Sequence, residues 1–414
     1  MRLFHTADIH FGVENYGKID PKTGIHTRLL DFSRNLERLV DCAITENIDV
    51  VLFCGDAYKT AYPTPTQQKL FAQHMLRLQA AGIPVVIVVG NHDHPLSFGK
   101  AHALDVFSYL PVNGFYVFSK PDLRVIQTKS GPVQVVGMPW PMRNFLLTNQ
   151  EHRFKTHAEI ATYISDKVGA IIQSFAQQID TTIPAVFAGH LTVSSGIFSG
   201  SEKCAIYGTD PIFLPSQLAL EQFDYVALGH LHRHQNLNKN GIPVVYSGSL
   251  ERVDFGERKE TKGFCSVTID MQEGSKKTSY QFNELPTRPM IQIEAFLAAD
   301  KDQTESLLAE LEKHSLTDAI IKILYHIPDG KQDKVDLVVI HEACSQAHHI
   351  VGVFPIHKPA VRERRAALKV NMDYTTLLSR YFESKEQLHA RKAILIEKAF
   401  GLQQELEAKQ QEAE

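Results

Sequence analysis

The stretch Val85-Val86-Ile87-Val88-Val89-Gly90-Asn91-His92-Asp93 decides the fold of this chain. Its first five residues are apolar and β-branched, a pattern that predicts a strand buried on both faces of a sheet. A glycine and three polar residues follow at once. In α/β proteins the functional residues lie in loops at the carboxyl ends of such strands. The stretch therefore predicts both an α/β fold and the position of its site.

Four other apolar runs end in the same way, in short polar clusters. The runs are Leu3–Ala7, Val50–Cys54, Ala185–Ala188 and Tyr225–Leu228, and the clusters after them are Asp8-Ile9-His10, Gly55-Asp56, Gly189-His190 and Gly229-His230-Leu231-His232. Asp, Asn and His are ligands that suit divalent Mn, Mg, Zn or Fe. Two such ions roughly 3.5–4 Å apart can clamp the attacking and leaving oxygens of a phosphoester. The clusters therefore predict a metal-dependent phosphoesterase.

Individual residues in these clusters have properties that favour metal binding. Strand alternation would point Asp8 and His10 to the same side, toward one ion. Gly55 lets the backbone turn tightly, and the carboxylate of Asp56 can then bridge two ions. Asn91 offers a neutral oxygen ligand.

Helical stretches separate the predicted strands. Leu29–Thr45 and Thr66–Ala81 carry apolar side chains at helical spacing. The second stretch begins at Thr64-Pro65 and ends before Gly82, which are typical start and stop signals. This alternation predicts stacked sheets with helices outside them.

The composition limits which cellular compartment and which partners the sequence suits. The five cysteines lie far apart and form no CxxC pair, which argues for a reducing compartment, the cytosol. No apolar run reaches the roughly 18 residues of a membrane span, and the first residues lack the apolar segment of a secretory signal. The net charge is −4, whereas a protein that holds DNA by charge alone is usually basic. A nucleic-acid ligand would therefore need local positive patches or a basic partner.

The pattern of residues along the chain changes near residue 288. After Leu285-Pro286-Thr287-Arg288-Pro289 the sequence predicts a strand, Met290–Phe296, a helix, Asp302–Lys313, and a strand pair, Ala319–Tyr325 and Lys334–Ile340. We expect a phosphoesterase core at 1–285 and a small α+β domain at 286–370.

The tail, residues 371–414, is predicted to be helical. Leu388, Leu395 and Leu402 are seven residues apart, and such an apolar stripe on a terminal segment needs something to cover it. Two interpretations stay open: the helix packs on its own domain, or it lies against a partner helix.

The order D-x-H, G-D, G-N-H-D, G-H and G-H-x-H over residues 1–270 resembles the calcineurin-like metallophosphoesterases. The resemblance implies an α/β fold of four layers, a β-sandwich flanked by helices. It also implies two divalent metal ions, in the first place manganese, with iron, zinc and magnesium as alternatives, and no other cofactor. One ion would be held by Asp8, His10, Asp56 and His232, the other by Asp56, Asn91, His190 and His230, and His92 would be the catalytic histidine.

Two features narrow the resemblance to a subfamily. Phosphoprotein phosphatases carry an arginine soon after G-D, and here Gly55-Asp56 is followed by Ala57-Tyr58-Lys59-Thr60 instead. The run Tyr246–Glu257, with the sequence YSGSLERVDFGE, resembles the DNA-repair exonucleases called SbcD. Lys59 stands where some members carry His or Asp, which leaves its effect beside Asp56 open.

The resemblance to SbcD implies partners and an activity. The 286–370 domain would cap the core, and helices in 371–414 would bind the coiled-coil base of SbcC, an SMC-type ABC ATPase. A homodimer is implied, with 66–81 and 100–110 as candidate segments, and no membrane partner. The implied activity is that of a cytoplasmic DNA nuclease in repair or recombination, an exonuclease on double-stranded ends and an endonuclease on single strands or hairpins.

Two other functions stay open beside the nuclease. One is a two-metal phosphodiesterase or phosphomonoesterase acting on a small molecule. The other is a non-enzymatic scaffold for DNA ends, against which the intact set of predicted ligands argues.

Overall fold

The computed structural model describes residues 1–95, 100–142, 156–200, 210–272, 275–357, 374–383 and 386–411. The strands are β1 (Arg2–Thr6), β2 (Val50–Phe53), β3 (Val85–Val88), β4 (Phe115–Phe118), β5 (Asp122–Thr128), β6 (Gly131–Met138), β7 (Ala185–His190), β8 (Thr192–Val193), β9 (Ile212–Phe213), β10 (Tyr225–Gly229), β11 (Gln235–Asn236), β12 (Val244–Tyr246), β13 (Lys262–Gln272), β14 (Ser275–Leu285), β15 (Met290–Phe296), β16 (Ile320–His326) and β17 (His349–Ile356). The helices are α1 (Thr27–Thr45), α2 (Pro65–Ala80), α3 (Val106–Tyr109), α4 (His157–Ala176), α5 (Pro215–Leu218), α6 (Gln303–Leu311), α7 (Leu337–Ala343), α8 (Tyr374–Glu383) and α9 (Lys392–Gln411).

Two six-stranded sheets form the centre of the fold. The first has the strand order β14-β13-β1-β2-β3-β4, and the second has the order β11-β12-β10-β7-β6-β5. Strands β1 to β4 run parallel to one another, and so do β12, β10, β7 and β6. The carboxyl ends of the parallel strands therefore lie along one edge of each sheet, and loops from several strands can meet there.

Alternation of side chains along the strands builds a core on each face of each sheet. In β2, Val51 and Phe53 pack with residues of α1 and α2, whereas Val50 and Leu52 enter the core between the sheets. The residues of β7 divide in the same way between the core that contains α4 and the central core. Apart from His190 at the end of β7, these strands carry no polar side chain, because both of their faces are covered. The predicted α/β sandwich of four layers, helix, sheet, sheet and helix, is confirmed.

The helix signals in the sequence are confirmed for α1 and α2. Thr64 and Gln67 form a reciprocal capping box, in which the N–H of Thr64 donates to Oε1 of Gln67 at 2.9 Å and the N–H of Gln67 donates to Oγ1 of Thr64 at 3.4 Å. The antiparallel hairpin of β13 and β14 was not predicted. Its second strand is rich in polar residues, so it carries no apolar run to indicate it.

One predicted strand of the 286–370 region is wrong. The expected strand Lys334–Ile340 overlaps the beginning of helix α7. The Asp336 carboxylate accepts hydrogen bonds from the N–H groups of Val338 at 2.9 Å and Val339 at 3.3 Å. Such a cap stabilises a helix by about 1 kcal/mol and here outweighs the weak strand preference of the valines. The small sheet has the order β15-β16-β17.

The chain divides into two compact units. The first comprises Met1–Ile293, Leu311–Ile323 and His341–Val353, and the second comprises Glu294–Glu310, Leu324–Ile340 and Phe354–Glu414. The domain boundaries at 285 and 370 stay predictions. Within the described part of the chain, no helix combines the length and the apolar character that crossing a bilayer requires.

Gly137 in β6 should tolerate no side chain. A Cβ at this position would lie 2.0 Å from Cδ1 of Phe118, a ring that is buried between the sheets. Overpacking of this kind typically costs about 1–3 kcal/mol, so we expect the Gly137→Ala variant to lose that much in free energy of unfolding, measured by urea denaturation.

The matched control for this change is Gly169→Ala in α4. There the added methyl meets only the end of the Gln217 side chain, at 3.2 Å, and alanine is the better helix former. Unchanged stability of the Gly137→Ala protein would contradict the packing described for Phe118.

Candidate metal centre

The structure brings the predicted ligands together at the carboxyl ends of β1, β2, β3, β7 and β10. Potential ligand atoms converge in three overlapping groups, and within each group they lie no more than 4.8 Å apart. The groups are Asp8, His10 and His232; Asp8, Asp56 and His190; and His10, Asp56 and His92. Asn91 and His230 adjoin them, since the Asn91 Oδ1 atom lies 2.9 Å from Nε2 of His190 and 3.2 Å from Nδ1 of His230. All eight predicted site residues therefore lie in one place.

Asp8 and His10 converge for a different reason than strand alternation. Strand β1 ends at Thr6, and both residues adopt the left-handed conformation, with φ of 55° and 51°. Asp56 and His230 also have positive φ, 57° and 103°. Among the described residues, these four account for more than half of the seven non-glycine residues with positive φ. Each such conformation costs of order 1–3 kcal/mol and is typical of functional sites.

Glycines of the motifs permit the close approach of the ligand loops. A Cβ at Gly90 would lie 2.1 Å from Oδ1 of Asp56, and a Cβ at Gly55 would lie 2.2 Å from Nδ1 of His190. Gly55 itself has a φ of 97°, so its predicted role in a tight turn is confirmed. Its carbonyl also accepts a hydrogen bond from the N–H of Asp8 at 3.0 Å, which joins the loops after β1 and β2.

Hydrogen bonds orient the imidazoles toward a common centre. Nδ1 of His190 donates to the carbonyl of Cys54 at 2.8 Å, which leaves Nε2 as the atom that faces Asn91. Nδ1 of His232 donates to the Glu257 carboxylate at 2.8 Å. The Nε2 lone pair of His232 is then directed at Nε2 of His10, at a distance of 2.9 Å. At this distance Nε2 of His10 can donate to Nε2 of His232, and the two atoms can equally face one cation.

Burial governs the protonation of the site. It raises the pKa of Asp8 to about 7, lowers the pKa of His230 to about 3 and lowers the pKa of His10 well below its usual value. Burial also acts to raise the pKa of Asp56, but the neighbouring His190 outweighs it and the pKa falls. His10 and His230 are therefore neutral and can donate lone pairs. Burial acts to lower the pKa of His190, but Asp56 and Asp8 outweigh it and raise the pKa to about 9, so this imidazole would release a proton on binding an ion. Divalent cations would also offset the cost of burying two carboxylates. The residues present therefore fit a pair of divalent metal ions.

Asp93 ties two of the ligand loops together. Its carboxylate accepts hydrogen bonds from the N–H groups of Asp56 at 2.9 Å, Tyr58 at 3.2 Å and Gly90 at 3.0 Å. The G-N-H-D motif contained this residue, but the sequence did not indicate its role, because the bonds cross between the loops after β2 and β3.

Glu257 and Lys262 support His232 from behind and were not predicted. The Glu257 carboxylate lies 2.8 Å from Nζ of Lys262, and both side chains are buried. Burial acts to raise the pKa of Glu257, but His232 and Lys262 outweigh it and lower the pKa to about 2. A carboxylate bound to the far nitrogen of a metal-binding histidine fixes its tautomer and orientation. Glu257 is the last residue of the run Tyr246–Glu257 that resembles SbcD. That resemblance could have indicated a role for Glu257 at the site.

Trp140 is a further residue that sequence reasoning missed. Its ring centroid lies 4.9 Å from that of His230, with an interplanar angle of 35°, and 6.1 Å from that of His190. Its backbone N–H donates to the carbonyl of Val89 at 3.0 Å. Trp140 comes shortly after β6, just as the predicted ligands come shortly after their strands, and this position in the sequence could have indicated that it lies at the site.

His92 lies at the exposed side of the site. Its N–H donates to Oδ1 of Asp56 at 2.9 Å, and its Nδ1 donates to the carbonyl of Lys59 at 2.8 Å. Lys59 thus contributes its backbone, whereas its side chain is exposed. The residue type at position 59 therefore does not determine the orientation of His92.

We expect the Glu257→Gln variant to bind Mn²⁺ about 10- to 100-fold more weakly, the usual effect of losing a partner of a metal ligand. Isothermal titration calorimetry measures this directly. Glu260→Gln is the control, because Glu260 contacts Lys262 at 3.1 Å and its removal leaves the bond from His232 to Glu257 in place. Equal affinities of the two variants would contradict the role of Glu257.

Comparison with known proteins gives a family match and a sequence relative. The model of the family described as calcineurin-like phosphoesterase matches residues 1–234. The SbcD subunit of the nuclease SbcCD from Staphylococcus saprophyticus is 28% identical over 333 residues, which cover 80% of this chain and 80% of that protein.

Among solved structures, the chain is similar to a dimetal phosphatase from Danio rerio, 10% identical over 64% of this chain and 92% of that one, with a TM-score of 0.35. Another is the protein TT1561 of Thermus thermophilus, 15% identical over 67% of this chain and 97% of that one, also with a TM-score of 0.35. The family model spans more than half of the 414 residues. The chain therefore belongs to the calcineurin-like phosphoesterase family, whose members are metal-dependent phosphoester hydrolases.

Proposed function

We propose that this protein is a two-metal DNA nuclease that acts in DNA repair or recombination, on double-stranded ends as an exonuclease and on single strands or hairpins as an endonuclease. The observation that carries the proposal is the similarity to the SbcD subunit of the nuclease SbcCD over 80% of the chain. A small-molecule phosphodiesterase or phosphomonoesterase is the alternative that the experiment below separates.

The arrangement of donor atoms supports the division of the ligands into two sets. Asp8, His10 and His232 would hold one ion, and Asn91, His190 and His230 the other. Asp56 would reach both, since its Oδ2 atom lies 3.6 Å from Nε2 of His10 and 3.5 Å from Nε2 of His190. When bound, the two ions would activate water and neutralise charge on the phosphoryl oxygens. Manganese is the proposed metal; iron, zinc and magnesium suit the same ligands.

His92 would stabilise the transition state or protonate the leaving 3′-oxygen. The bond from Nδ1 to the carbonyl of Lys59 holds one nitrogen, so Nε2 is the atom that would exchange a proton with the substrate. The side chain is exposed, as a residue that meets the substrate requires. An imidazole suits this task near neutral pH.

The proposed partners rest on the similarity to the SbcD subunit of SbcCD. A cap at 286–370 and helices in 371–414 that bind an SMC-type ATPase would complete the enzyme, in the cytoplasm. Among the described tail residues, Tyr381, Ile394 and Leu402 are at least half exposed, which suits a partner helix. For the proposed homodimer, Tyr109 in the candidate segment 100–110 is 84% exposed.

Removal of His92 should separate chemistry from metal binding. We expect His92→Ala to slow Mn²⁺-dependent cleavage of an end-labelled DNA duplex by about 10²- to 10⁴-fold, with Mn²⁺ affinity unchanged. Lys59→Ala is the matched control and should cleave normally, because the carbonyl that holds His92 remains.

Either of two results would count against this assignment. Loss of Mn²⁺ in the His92→Ala protein would make His92 a ligand, as its group with His10 and Asp56 allows. Hydrolysis of a small aryl phosphodiester without DNA cleavage, even with the ATPase added, would favour the small-molecule alternative.

Deletion of 371–414 should remove binding of the ATPase while hydrolysis of an aryl phosphodiester continues, since none of the proposed metal ligands lies in that segment. Pull-down with the ATPase and a spectrophotometric assay of the same preparation measure the two effects. An ATPase still bound to the truncated chain would place its binding site elsewhere.

A further inference from the structure

We propose that Trp140 and the apolar pocket beside it form a subsite for an unpaired nucleobase next to the phosphate that is hydrolysed. The inference rests on the proposed function and names the part of the substrate that the metal centre does not itself recognise. Nothing in the ligand set reads a base, because carboxylates, imidazoles and ions act on the phosphate alone.

Trp140 lies close enough to the metal centre that one nucleotide could contact both the indole and the phosphate that is hydrolysed. Its ring contacts His230 with centroids 4.9 Å apart and lies 6.1 Å from the ring of His190, and both histidines are predicted ligands of one ion. The bond from its backbone N–H to Val89 anchors it to the end of β3, directly before Gly90 and Asn91. A phosphate at that ion would lie within one nucleotide's reach of the indole.

The pocket beside the indole has the chemistry of a base site. It encloses about 40 Å³ and is open to solvent, so a base would stack on the indole at the mouth of the pocket. Its lining includes Met138, Pro139, Trp140, Pro141, Met142 and Lys120. The two prolines restrict the backbone on either side of Trp140, and the thioethers form favourable contacts with aromatic rings. Lys120 is exposed and offers a positive charge to a neighbouring phosphate.

These groups favour a base that has left the double helix. Base–aromatic stacking needs a free π-face and tolerates any base. A paired base in a duplex is already stacked on both sides, so it would have to be extruded first. A frayed end, a hairpin loop or a single strand presents such a base without that cost. A free mononucleotide presents the same chemistry, and the binding experiment distinguishes the two sources.

Binding is tested on the full chain through the fluorescence of its single tryptophan. With chelator present to prevent cleavage, a short oligothymidylate should quench the emission saturably. An oligomer of the same length made of abasic deoxyribose phosphate should leave it unchanged. Equal responses to the two oligomers, or no response to any probe, would overturn the subsite. Quenching by thymidine monophosphate alone would keep the nucleobase subsite but overturn the nucleic-acid substrate, and with it the proposed nuclease.

Cleavage provides the second test. We expect Trp140→Ala to lower kcat/KM by about 10- to 100-fold on an oligonucleotide, and to have little effect when the nucleotide next to the scissile bond is abasic. Trp140→Phe should restore most of the rate, because phenylalanine keeps an aromatic face.

A merely structural role of Trp140 predicts another result. If the indole only supported His230, Trp140→Ala would slow both substrates equally and weaken Mn²⁺ binding, and that outcome would overturn the proposal. Should Trp140→Ala not fold, Met142→Ala at the partly exposed wall of the pocket tests the same point. It should raise KM for the intact oligonucleotide and not for the abasic one, and an equal effect on both would again reject the subsite.

Discussion

The burial of two carboxylates, Asp8 and Asp56, is the constraint on which the rest of the structure depends. Both are almost fully buried, and charge removed from water must be matched by opposite charge or by hydrogen bonds. Asp8 accepts a hydrogen bond from the N–H of His230 at 3.0 Å, and Asp56 accepts one from the N–H of His92 at 2.9 Å. Metal ions and imidazoles would supply the rest of the opposite charge and hydrogen bonds that these two carboxylates need. The carboxyl ends of five strands must therefore meet closely, and the left-handed backbone at both aspartates is part of the cost.

The two packed sheets make that meeting possible. Parallel strands in each sheet end at the same edge, and ligands come from both sheets. The sheets approach closely where β6 carries Gly137 opposite Phe118, so packing between the sheets contributes to the distance between them. Rigid strands that begin in a packed core hold the ligand loops in place, which suits a site whose donor atoms must converge to within a few ångströms.

Three residues behind or beside the ligands turn a set of loops into a defined centre. Asp93 fixes the loops after β2 and β3 by accepting backbone N–H groups, and Glu257 fixes the tautomer of His232. Trp140 lies against His230 at the border between the metal centre and an apolar pocket. The centre and the pocket thus share one wall. A base stacked in the proposed subsite would add recognition of a nucleotide to a centre that otherwise acts on phosphate alone.

The sequence by itself determined the α/β class, the buried strands, helices α1 and α2, and the residues that meet at the site, because apolar runs ending in Asp, Asn or His are local patterns. Only the tertiary structure decided how they meet. Asp8 and His10 converge through left-handed backbone stabilised by another loop, and Glu257 reaches His232 across 25 residues. The helix at Leu337–Ala343 also depended on a capping hydrogen bond that strand propensity does not register. Contacts between segments that are distant in sequence produce no periodic pattern in the sequence, so they could be recognised only in the folded structure.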